Sequence, residues 1–99
     1  MRKRDIKGDI LQYHKERWNQ RFARKMKVNI GEAKKLIGLL LRGGNTEMQI
    51  LEGIEELFVM YDAGSLGDAP PDVRQLSYRW NDIVVRLEKN EWSKYETKA

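Results

Sequence analysis

"TEMQILEGIEELFVMYD", residues 46–62, decides the fold class. Ile50, Leu51, Ile54, Leu57, Phe58 and Tyr61 recur at spacings of three and four, the period of a helix with one apolar side. Thr46 stands at the N-cap, and Gln49 completes a T-x-x-Q capping box. Glu47 suits the positive end of the helix dipole. These signals predict a helix over 47–62.

The same period extends in both directions from this segment. Upstream, Ala33, Leu36, Ile37, Leu40 and Leu41 predict a buried side for a helix over 30–42. Asn29 is its expected cap, with Glu32 in the capping-box position. Gly43 is the expected left-handed stop. Further upstream, Leu11, Trp18 and Phe22 fall on one narrow arc of a helix over 5–26, flanked by Ile10, His14 and Met26. Downstream, "DAGSLGDAPPD" is a Gly- and Pro-rich loop. Pro70 or Pro71 then opens a helix over 71–89, where the missing N–H costs nothing. Its stripe is Val73, Leu76, Trp80, Ile83, Val84 and Leu87. Asn90 is the expected stop, leaving a tail over 90–99. No segment alternates like a strand.

The expectation is therefore one all-α domain over residues 1–99, a compact bundle of three to four helices with a flexible C-terminal tail. Gly38 and Gly53 fall inside predicted helices, where each costs about 1 kcal/mol relative to Ala. One reading is tolerated surface glycine. The other, preferred here, is a close crossing of the second and third helices.

Charge is unevenly placed. Net charge is +4 over 99 residues, yet residues 1–42 carry thirteen Lys or Arg against four acids, a net of +9. Residues 43–73 carry seven acids and no Lys or Arg, and residues 74–99 are +2. Such polarity either orients a polyanion or lets the two blocks attract each other within the fold. The chain has no Cys, so it has no disulfide and no thiolate chemistry. Its longest apolar runs are far too short for a membrane span. The basic start leads into Asp5 and Lys7 instead of an apolar signal segment. An intracellular, cytoplasmic protein is the expectation.

Catalysis finds little support. His14 is the only histidine and lies beside the Leu11–Trp18–Phe22 arc, which makes it a half-buried structural residue. Glu52, Glu55 and Glu56 are read as a solvated face. "DAGSLGD" lacks the alternating ligands of a calcium loop, and neither Gly-rich nucleotide motif occurs. No enzyme, no cofactor and no metal are expected. A helix-turn-helix reading of the second and third helices fails on charge, because the acids of the third would face phosphates.

The first helix differs. Tyr13, Arg17, Gln20, Arg21 and Arg24 share a flank beside the apolar arc. Lys27 continues it, and Lys34 and Lys35 of the second helix, with Arg42, are expected to extend it. Arginines at helical spacing suit successive phosphates, and Tyr13 suits stacking on a base. The bland reading is a basic solvated face.

The order of signals resembles a small helical module of phage and mobile-element replication proteins, found near helicase-loader or replisome-organiser regions. The segments that carry this are "DILQYHKERWNQRFARKMKV", "GEAKKLIGLLLRGGNTEMQILEGIEELFVMY" and "LSYRWNDIV", within about residues 9–85. The resemblance implies an accessory role in DNA metabolism with nucleic acid or a replication protein as partner. Self-association is compatible with it. The rival expectation is a phage-encoded inhibitor or adaptor of a host enzyme, in the manner of anti-CRISPR proteins. It would use Glu52, Glu55 and Glu56, or Trp92 and Tyr95 as interface anchors.

Overall fold

The computed structural model describes residues 5–23 and 29–98, with side chains described as far as residue 89. Every regular element among them is helical: α1 (Ile6–Phe22), α2 (Ile30–Arg42), α3 (Glu47–Asp62), α4 (Val73–Tyr78) and α5 (Trp80–Lys98). The all-α class follows. The chain divides within α3 into two units, residues 1–51 and 52–99.

In the first unit α1 packs on α2. Asp5 caps α1, its Oδ1 accepting from the Gly8 N–H at 3.0 Å. The buried side of α1 is Ile10, Leu11, His14 and Trp18, while Phe22 is half-buried. The arc is thus turned toward Ile10 and His14 relative to the sequence expectation. His14 is fully buried, not half-buried. Its ring lies 6.3 Å from that of Trp18, which in turn sits 4.4 Å from Phe22 at a tilt of 44°.

The first helix ends earlier than expected. It stops at Phe22 instead of Met26, because Ala23 turns into the left-handed region at φ 53° and its N–H bonds Asn19 O. Residues 24–28, with Arg24, Met26 and Lys27, lie outside the described residues.

Asn29 caps α2 as expected, accepting from the Glu32 N–H at 3.1 Å. Ala33, Ile37 and Leu40 are buried, whereas Leu36 and Leu41 are only half so. The stop of α2 belongs to Gly44, not Gly43. Gly43 keeps an ordinary φ of −73° and Gly44 takes +94°. The Gly44 N–H bonds Leu41 O at 3.2 Å and the Asn45 N–H bonds Leu40 O at 3.3 Å, the two bonds of a Schellman motif. The sequence reading chose the glycine one residue too early. The capping box of α3 is as expected: Thr46 N donates to Gln49 Oε1 at 2.8 Å, and Gln49 N to Thr46 Oγ1 at 3.1 Å.

In the second unit Ile54, Leu57, Phe58, Met60, Leu66, Val73, Leu76 and Ile83 are buried. A second Schellman motif ends α3, with Gly64 at φ +79° and Ser65 N bonding Met60 O at 2.9 Å. The expected helix over 71–89 is two helices. It starts two residues later than a proline start would give. Asp72 caps α4 through the Gln75 N–H at 2.9 Å, and Pro71 is buried just before it. The break falls at Arg79, whose φ of −100° and ψ of 15° leave the helical region. The helical backbone then continues to Lys98, past the stop expected at Asn90.

The glycine crossing expected between the second and third helices is replaced by two other approaches. A Cβ on Gly53 would collide with Cζ3 of Trp80 and lie 2.9 Å from its Cη2, so the glycine makes room for an indole of α5. A Cβ on Gly38 would meet only the flexible end of Lys7 in α1, with Cε at 3.1 Å.

Candidate nucleic-acid interface

The flank of α1 beside its buried side is built by helical spacing. Arg17 and Gln20 lie three apart, and the Arg17 guanidinium donates through Nη1 to Gln20 Oε1 at 2.9 Å. Arg21 is exposed, with its guanidinium carbon 5.4 Å from the Phe22 ring centroid. Gln20 is exposed, while Tyr13 and Arg17 are half-buried because the buried arc is turned toward them through Ile10. Tyr13 therefore offers only part of a stacking face. Arg24 and Lys27 fall outside the described residues.

Lys34 of α2 stands differently from expectation. Lys34 Nζ lies 3.2 Å from Asp5 Oδ2, an ion pair that fixes it beside the first residue of α1. Arg17 and Arg21 are twelve and sixteen residues further along. At 1.5 Å per residue that is roughly 18 and 24 Å of helix. Lys34 therefore does not extend their surface. Lys35, next to it in sequence, is exposed. Asp5 is the residue the sequence reading missed. Its signal was an Asp at the start of an amphipathic run, an N-cap that also attracts a cation. The Gly8 N–H and then Lys34 hold the Asp5 carboxyl below its ordinary value of 3.8.

The acidic trio is also split. Glu52 is exposed and Glu55 half-buried, but Glu56 is buried with its Oε1 2.8 Å from Nε of Arg86. Glu56 thus belongs to the packing of the second unit and not to a solvated face. The side chains of Trp92 and Tyr95 lie outside the described residues, on the helical backbone of α5. Among the described residues no group of three or more His, Cys, Asp or Glu is placed to hold a metal, and no helix is long and apolar enough to cross a membrane.

Searches of family models, curated proteins and solved structures gave no match to this chain.

Proposed function

We propose that this chain is an accessory protein of nucleic-acid metabolism, of the kind found in phage replication, and that it binds nucleic acid through the exposed flank of α1. One observation carries the reading: within a segment of net charge +9, Arg17, Gln20 and Arg21 occupy one flank of the C-terminal half of a helix. The Arg17–Gln20 bond narrows the conformations of the guanidinium, so less side-chain entropy is lost when a phosphate binds. Arg21 supplies a second charge one turn on. Contacts of this type position a polyanion without reading its sequence. Among the described residues of the flank there is no nucleophile–base pair, and the proposed role is binding without turnover.

Fluorescence anisotropy with labelled single- and double-stranded DNA at low salt tests the proposal. Binding that weakens with added salt and is lost in an Arg17→Glu/Arg21→Glu variant supports it. Absence of binding by the parent protein at low salt overturns it.

A further inference from the structure

Tyr78 ends α4 with 81% of its surface exposed, more than any other exposed large hydrophobic side chain among the described residues. The Arg79 guanidinium carbon lies 5.8 Å from its ring centroid. The pair stands where α4 ends, at the break at Arg79. Arg79 is held in turn by Gln75, whose Oε1 accepts from its Nε at 2.9 Å. Gln75 is anchored at the start of α4, its N–H donating to the Asp72 cap. Among the described residues no carboxylate pairs with Arg79. A flat aromatic face in solvent and an adjoining guanidinium without a counter-charge are therefore presented side by side.

We infer that Tyr78 and Arg79 form a stacking platform for an unpaired base and its phosphate, which would make single-stranded nucleic acid the favoured ligand. A ring accepts any base on its face, and the guanidinium next to it answers the phosphate of the same strand. A duplex keeps its bases stacked on one another and offers the ring nothing to receive. The unit that carries the platform, residues 52–99, holds ten acids against six Lys or Arg, so the Arg79 guanidinium beside the ring, and not a long-range field, answers the phosphate. The inference rests on the nucleic-acid reading of the chain and adds the strand preference. It supplies the exposed aromatic that half-buried Tyr13 does not.

The test uses the full chain and two labelled probes of equal length, an oligothymidine strand and a mixed-sequence duplex, in anisotropy titrations at fixed low salt. Tyr78→Ala is expected to weaken oligothymidine binding roughly 5- to 100-fold and to leave duplex binding unchanged. Tyr78→Phe keeps the ring and is expected to retain wild-type affinity. The melting temperature of Tyr78→Ala should equal that of the parent, since the ring is almost wholly in solvent. Unchanged oligothymidine affinity in Tyr78→Ala overturns the platform while leaving the α1 reading intact. Equal losses for both probes overturn it too, because a ring that reads unstacked bases cannot serve a duplex equally. Failure of the parent protein to bind either probe removes the α1 reading and the platform together.

Discussion

Gly38 and Gly53 have the same intrinsic effect on a helix and opposite surroundings. Each interior glycine weakens its helix by about 1 kcal/mol relative to Ala. At Gly38 an added methyl meets the flexible end of Lys7, which can swing aside. Gly38→Ala should therefore raise stability by up to about 1 kcal/mol. At Gly53 the methyl would overlap the Trp80 indole, which is fixed by its ring and its helix. Gly53→Ala should destabilise by about 1–3 kcal/mol despite the better propensity. Urea unfolding of the two variants gives the contrast directly, and equal shifts would contradict it. Asp5 gives a second prediction at this scale. Its carboxyl is held below 3.8 by the Gly8 N–H and then by Lys34, so folding favours the charged form. The contribution is present above the ordinary value and is lost as pH falls through the lowered folded one. NMR titration of the Asp5 carboxyl carbon should show a midpoint below 3.8, with Lys34→Met moving it part of the way back.

Helices were legible in this chain wherever their ends are written in local chemistry. Asn29 and the Thr46–Gln49 box mark real starts because a cap bonds within three residues of itself. The break at Arg79 is not written that way. Val73, Leu76, Trp80 and Ile83 keep helical spacing straight through it, so periodicity alone reports one helix. The approach of Trp80 to Gly53 beside the break joins residues far apart in sequence, which periodicity does not report. The candidate site divides on the same principle. The Arg17–Gln20–Arg21 flank could be read from spacing, whereas the removal of Lys34 from it depends on a partner 29 residues away. The end of α1 was missed because an alanine, not a glycine, takes the left-handed cap. A left-handed conformation costs an L-residue with a Cβ about 1–2 kcal/mol. Ala23→Gly should relieve part of this and stabilise the protein by about 0.5–1 kcal/mol, measured as a rise in the urea midpoint at unchanged slope. A fall in the midpoint would mean that the αL cap does not limit this helix.

At the scale of the whole molecule the unequal charge distribution is the property that bears on function. A polyanion bound by Z phosphate contacts releases counterions, and the affinity then falls with salt at a slope of about −0.9Z for duplex DNA. The slope counts contacts without requiring their arrangement to be known. In the proposed interface Arg17 and Arg21 each stand for one contact, so Arg17→Gln/Arg21→Gln should make the slope shallower by about 2. Lys34 carries the same formal charge within the same basic segment, but it is engaged by Asp5 at the far end of α1. If binding depended only on total charge, Lys34→Gln would also lower the slope, by about half the amount seen for the two arginines. If binding depends on the α1 flank, Lys34→Gln should leave the slope unchanged. Anisotropy titrations across a salt series, with the three proteins side by side, separate these outcomes. A proportional loss in Lys34→Gln would show a diffuse electrostatic attraction and would end the assignment of Arg17, Gln20 and Arg21 as a defined contact surface.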